Sequence, residues 1–307
     1  MTPLISDDVV GKHVNQGWQN MDGNGHYWPG QQPGVPPSYY AGPTDPLVSG
    51  DYNGWFRRGA ALVKQIWKPA LLLHAVIAVP TVALTLPTQN YMLREQQDAA
   101  AALDVRPTEL PPLGDLVLAL TLLVIAALIA GTIYVIAMSA TVQLVVQAAT
   151  GRPVSLGAAL GTALRRTPAL LGWYLLLIPL ALIAIALCVL PVIYVAAATA
   201  VLPVVVTVER GTGIGRCFQL FHADFGVSAG RIGTYFGVAI VAGLAVAGVS
   251  AMVEVVGGAG AGLAADGLLN GLFSVAFAVV GTPFVVAAYA DMRSRREPFS
   301  TAYLMAN

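Results

Sequence analysis

Few side chains in this sequence have the chemistry of a reactive or binding group in the wrong solvent, and three stand out. His74, Glu254 and Asn270 lie within or at the edge of long apolar runs, where burying a polar or charged group is costly and a function is the first thing to look for. His74 falls about one turn inside the first run. A neutral imidazole bonded to a neighbouring helix, or one reaching out to the interface, is expected there ahead of a proton relay. Glu254, near the end of the fifth run, is expected to be a carboxylate solvated at headgroup level instead of an ion ligand. Asn270, near the start of the sixth, is expected to hydrogen-bond between helices. No run carries paired carboxylates, metal-ligand spacing or a nucleophile beside a base, so no catalytic residue, metal or cofactor is assigned. The stretch "RGTGIGR" at 210–216 lacks the G-x-x-x-x-G-K-[ST] spacing that cradles phosphate.

The second available chemistry is cationic. Arg57, Arg58, Lys64, Lys68, Arg165, Arg166, Arg216, Arg293, Arg295 and Arg296 flank the apolar runs. Near a membrane surface each such residue attracts anionic lipid headgroups by about 1 kcal/mol. The sharpest concentration is "YADMRSRREPF" at 289–299, with three arginines in four positions directly after an apolar run. The expectation is a cytoplasmic anchor for the last membrane helix.

The elements that must position these groups follow from composition. Of the 307 residues 56% are hydrophobic and the mean hydropathy is +0.70, above the share of about 45–50% usual in soluble domains. The excess forms blocks of the length needed to cross a hydrocarbon core of about 30 Å. The fold class expected is all-α and integral to the membrane, with six transmembrane helices and three amphipathic cytoplasmic surface helices. Residues 1–50, rich in Gly, Pro and Tyr, are expected to be a disordered cytoplasmic tail able to recruit a protein partner. Residues 51–297 form the six-span domain, and 298–307 a short cytoplasmic tail. The first apolar run is expected to serve as an uncleaved insertion signal. Basic residues flank membrane runs instead of building a basic domain, which excludes nucleic acid. Cys188 and Cys217 are expected on opposite membrane faces as small buried hydrophobes, unpaired.

The spans are expected at about 69–93, 116–149, 167–190, 191–208, 232–256 and 268–289. A polar segment covers 94–115 and closes on a Pro-rich loop at 107–114, a tight turn at Pro191 joins the third and fourth spans, and a Gly/Ala connector precedes the sixth. The surface helices are expected at 52–68, ended or kinked by Pro69, at 155–166, capped by Ser155, and at 214–223. Each precedes an outward-going span. With the N-terminus inside, fourteen Lys and Arg fall in cytoplasmic segments and two, Arg94 and Arg106, fall outside. That asymmetry sets both termini in the cytoplasm. On the fifth span Gly233 and Gly237, then Gly243 and Ala247, form two small-xxx-small pairs, expected to pack within the bundle ahead of a homodimer contact.

Three stretches carry a resemblance: "WFRRGAALVKQIWKPALLL", "LPVVVTVERGTGIGRCFQLFHADFG" and the terminal "YADMRSRREPF". Together they resemble a family of bacterial multi-pass proteins similar to the membrane domain attached to some glycerophosphoryl diester phosphodiesterases. The family's closing Tyr-x-Asp-x-Arg-x-Arg-x-Glu stretch is matched by Tyr289, Asp291, Arg293, Arg295 and Glu297. The resemblance implies a bacterial inner-membrane location. It implies no phosphodiesterase activity, because that belongs to a separate soluble domain for which this chain has no room. The function expected is a non-enzymatic membrane module that interacts with lipid, chiefly anionic headgroups, or recruits partners. A small-molecule or lipid transporter is the alternative.

Overall fold

A computed structural model describes residues 40–105 and 113–305. Among these residues the chain is all-helical, with no strand. The helices are α1 (Tyr52–Val105), α2 (Leu113–Ala149), α3 (Leu156–Leu187), α4 (Val189–Thr199), α5 (Leu202–Val208), α6 (Ile214–Phe221), α7 (Phe225–Gly257) and α8 (Ala259–Arg296). A 3-10 turn, Thr301–Met305, follows. With α4 and α5 taken as one bent crossing, six helical segments are long and apolar enough to span a membrane. The expected tail at 1–39, Lys12, Arg106 and the centre of the expected polar segment lie outside the described residues.

Helix ends follow local chemistry. At the end of α2, Gly151 has φ 68°, a left-handed conformation that glycine adopts without steric cost. The Arg152 N–H then reaches Gln147 O at 2.9 Å and the Gly151 N–H reaches Ala148 O at 3.2 Å. These two bonds close a Schellman motif. Ser155 caps α3 as expected, its side chain accepting from Ala158 N at 3.4 Å. Asp224 does the same for α7, accepting from Val227 N at 3.2 Å.

Several expected boundaries are corrected. Pro69 does not end a surface helix: α1 runs unbroken from Tyr52 through Pro69, Pro80 and Pro87. The expected polar segment is helical from Arg94 to Val105, which carries α1 past the expected end of the first span. Likewise α3 continues through Pro168 and Pro179, absorbing the second expected surface helix. Of the three, only the segment at 214–221 stands as a separate helix. The third and fourth spans part at Cys188, not at Pro191, which sits in the first turn of α4. There its missing N–H costs nothing, since the first helical N–H groups have no intrahelical partner. The Gly/Ala connector is the first part of α8, separated from α7 by Gly258 alone, at φ 81°.

The helix termini around α1's start and α8's end meet at one end of the bundle, called the terminal end below. Its packed core draws on Trp55, Leu62, Ile66, Ala70 and Leu73 of α1, one stripe at helical spacing. Opposite it, α8 is buried on every side: Val285 through Ala290 are each at most 1% exposed. Away from this end large aliphatic side chains lie open, such as Val256, 90% exposed, the surface a helix presents to lipid. Residues 40–50, expected in the disordered tail, pack here with Leu47 and Val48 buried. So do Phe299 and Leu304 from the expected C-terminal tail.

The expected small-residue packing on α7 is also corrected. Gly233, Gly237 and Ala247 are exposed, and a Cβ on Gly233, Gly237 or Gly243 would meet nothing within 4 Å. Close approach occurs elsewhere. A Cβ on Gly59 would lie 2.5 Å from Phe284 Cδ1, and one on Gly281 would lie 2.8 Å from Tyr235 Cε2. Gly59→Ala is expected to destabilise the purified protein by about 1–3 kcal/mol through overpacking, read as a lowered unfolding midpoint in detergent. Gly233→Ala and Gly237→Ala are expected to leave that midpoint unchanged or raise it.

Candidate functional site

The last turns of α8 carry Tyr289, Asp291, Arg293, Arg295 and Glu297 at every second position. On a helix, two residues advance the direction by about 200°, whereas four return to nearly the same face. The alternation therefore splits into two faces. Tyr289, Arg293 and Glu297 form one, and Asp291 and Arg295 form the other.

The first face meets the turn between α5 and α6. Glu209 accepts from the Tyr289 hydroxyl at 2.7 Å and from Arg216 Nε at 2.9 Å. Arg293 donates to the Tyr289 oxygen at 2.8 Å and to Glu297 at 2.5 Å. Glu297 also pairs with Arg216 at 2.6 Å. The Arg293 guanidinium lies 4.6 Å from the ring centre of Phe299 and 4.9 Å from that of Tyr303, both favourable cation–π placements. Burial alone would lower the pKa of Arg216. The hydrogen bonds and charges of Glu209 and Glu297 outweigh it and hold the group above the ordinary arginine value.

The second face meets α7 and the segment before α1. Asp291, fully buried, pairs with Arg231 at 2.9 Å, and one of its oxygens accepts from the Ser49 N–H. The Nε and Nη1 of Arg231 find no hydrogen-bond acceptor among the described residues, so charge more than geometry holds this pair. Arg295 pairs at 2.7 Å with Asp224, the residue that caps α7. Asp45 completes the closure. It accepts from the backbone N–H groups of Leu47 and Val48 and from the Thr301 hydroxyl at 2.5 Å, tying the chain before α1 to the chain after α8.

Beside the first face opens a cavity of about 820 Å³. Arg152, Arg165, Arg166, Arg210 and Arg293 line it, with Glu209 as the one carboxylate. Among the described residues Arg165, Arg166 and Arg210 pair with no carboxylate. Arg152 donates to the Met305 carbonyl at 2.6 Å. The floor is polar: Gln143 and Thr207 reach the cavity, and Thr207 donates to Ser139 at 3.4 Å beneath it.

The expected site residues divide sharply. Arg216, Arg293 and Arg295 were expected to meet lipid headgroups and instead form internal ion pairs. Arg58 is held by the carbonyls of Asp45 and Pro43. Arg57, Lys64, Lys68 and Arg296 are exposed, while Arg165 and Arg166 join the cavity. His74 matches its expectation: the Thr141 hydroxyl donates to Ala137 O, so it accepts from His74 Nε2–H at 2.9 Å, a contact between α1 and α2. Asn270 does not: its amide bonds within its own helix, to Asp266 at 2.8 Å. Glu254 is exposed, and its side chain fills the space that a Cβ on Gly262 would take. Cys217 is buried as expected, and burial pushes its thiol up to about 12, so it stays neutral. Cys188, also expected to be buried, is exposed. Arg152, Arg210, Arg231, Glu209, Asp224 and Asp291 were missed as site residues. The i, i+4 spacing of opposite charges, Asp291 to Arg295 and Arg293 to Glu297, was the available signal, and the second of these forms an ion pair.

Comparison with protein-family models, with curated proteins and with solved structures finds no match. The class stands on the fold itself: an all-helical protein whose six apolar helices suit a multi-pass membrane protein.

Removing one member of a buried ion pair strands the other charge, at about 3–5 kcal/mol. Asp291→Ala is expected to lower the unfolding midpoint in detergent accordingly. The double variant Arg231→Leu/Asp291→Leu, which leaves no stranded charge, is expected to recover more than half of that loss. Equal losses in the single and double variants would mean that the Ser49 contact, not the charge pair, carries the effect.

Proposed function

We propose that this chain is a non-enzymatic, multi-pass module of a bacterial inner membrane that holds anionic lipid at its cytoplasmic face. The observation that carries the reading is where the cations sit. Arg94 apart, every described Lys and Arg belongs to a loop at the terminal end, to α6 beside those loops, or to the half of its helix nearer that end. Cations near span ends are retained in the cytoplasm, which supports a cytoplasmic terminal end with both termini on that side. Arg57, Lys64 and Lys68 are exposed along the first turns of α1. They carry no structural ion pair among the described residues, leaving them available to headgroups. Arg296 joins them from α8.

A transport reading has one observation in its favour, the polar floor of the cavity at Gln143, Thr207 and Ser139. It would require uptake of a solute into proteoliposomes. The lipid reading makes a different prediction. Replacing Arg57, Lys64 and Lys68 together by Gln removes about 1 kcal/mol each of surface attraction. Native mass spectrometry from mixed anionic and zwitterionic lipid is expected to show fewer retained anionic lipids. Orientation is checked by labelling Arg296→Cys and Asp98→Cys with a membrane-impermeant maleimide. Only Asp98→Cys is expected to react in intact cells, and reaction of both from outside would remove the reading.

A further inference from the structure

We propose that the arginine-lined cavity binds a multiply charged phosphate group, a phosphomonoester or pyrophosphate, borne by a lipid headgroup or by a soluble compound. The inference deepens the lipid-holding reading and rests on its premise that this end meets anionic ligands, but it concerns different residues. Charge balance carries it. In the cluster beside the cavity the two carboxylates, Glu209 and Glu297, are matched by the two guanidinium groups of Arg216 and Arg293. Among the described residues, Arg152, Arg165, Arg166 and Arg210 then remain around one concavity of about 820 Å³ with no carboxylate paired to them. Four like charges around one concavity repel one another, and an anion between them is what relieves the repulsion.

The volume lies within the range of about 300–1,000 Å³ typical of ligand sites. Guanidinium groups match phosphate oxygens through paired N–H donors. Thr162, Thr212 and Tyr303 add polar surface to the lining, with the Thr162 hydroxyl donating to Ala158 O at 3.1 Å and that of Thr212 to Glu209 at 3.4 Å. A phosphodiester carries one charge, so four arginines suit a phosphate with two or more. Both sources have a way in. Leu164, 56% exposed, stands next to Arg165 on α3 as apolar surface suited to an acyl chain. Arg152, Arg210 and Thr212 belong to the loops beyond the helix ends.

The test uses the full chain in two arms. In maltoside micelles, inorganic pyrophosphate is titrated by calorimetry. In phosphatidylcholine nanodiscs carrying equal amounts of phosphatidate and phosphatidylglycerol, retained lipid is read by native mass spectrometry. Binding of pyrophosphate supports the site with a soluble source, and preferential retention of phosphatidate supports it with a lipid source. Either signal is expected to weaken about a hundredfold in Arg165→Gln/Arg166→Gln/Arg210→Gln, at about fivefold per arginine. It is expected to survive in Arg57→Gln/Lys64→Gln/Lys68→Gln. That second variant separates the two readings, because it tests the outer surface and leaves the cavity intact. No pyrophosphate binding together with no preference for phosphatidate overturns the proposal, as does equal weakening by the two variants. If the glutamine variant fails to fold, the lysine version keeps the charge and loses the planar fork. About a tenfold weakening is then expected, and an unchanged signal overturns the proposal.

Discussion

A helix enclosed on every side cannot carry a charge unless something beside it carries the opposite one. The end of α8 is enclosed in this way, with Asp291 fully buried and Arg293 8% exposed, and the surrounding fold follows from that constraint. Taking an ion out of water costs several kcal/mol even after relaxation. Each buried charge at the end of α8 therefore requires a neighbour held in place. Because the charges alternate, the requirement falls on two opposite faces. The α5–α6 turn and α6 supply Glu209 and Arg216 to one, and α7 with its cap supplies Arg231 and Asp224 to the other. Asp224 serves twice, as the cap of α7 and as the partner of Arg295. The position of α7 is in this way coupled to the register of α8.

The same constraint accounts for the folding of segments that carry little hydrophobic surface. Residues 40–50 contain turns and prolines and have no helix to join, yet Ser49 is bound to Asp291 and Asp45 to Thr301. In hydrocarbon, helices gain nothing from hiding aliphatic surface, because the lipid is equally apolar. The far half of the bundle accordingly exposes its Leu, Ile and Val. The packed core and its polar bonds concentrate at the terminal end, where water makes burial favourable and close contacts such as Gly59 against Phe284 can form.

Much of the architecture was legible in the sequence, and the reason is solvent. Apolar length and cation placement report directly on the bilayer, so six crossings could be read from "GTIYVIAMSATVQLVV" and its like without any partner. Breaks were read less well. Pro69 and Pro168 do not end helices here, because in a membrane protein neighbouring groups can serve a backbone group that proline leaves unpaired. The glycine pairs on α7 were spaced for close packing but face outward. Spacing along one helix does not say which face its neighbour occupies. The ionic cluster was the least legible part. Arg293 and Glu209 are 84 positions apart, and a count that weighs only Lys and Arg for topology overlooks the acids beside them.

Counting both signs turns one population of cations into two. Arginines that find a carboxylate inside the fold, namely Arg216, Arg231, Arg293 and Arg295, have their charge consumed by structure, and removing Arg231 would strand the buried Asp291. Arginines without such a partner keep their charge for whatever approaches. Arg165, Arg166 and Arg210 are of this second kind. They stand over a framework that the first kind has made neutral, so an approaching anion meets little opposing field from Glu209 or Glu297. A basic stretch in a membrane protein thus cannot be assigned to lipid by composition alone. The acids within reach of it decide how much of its charge is left.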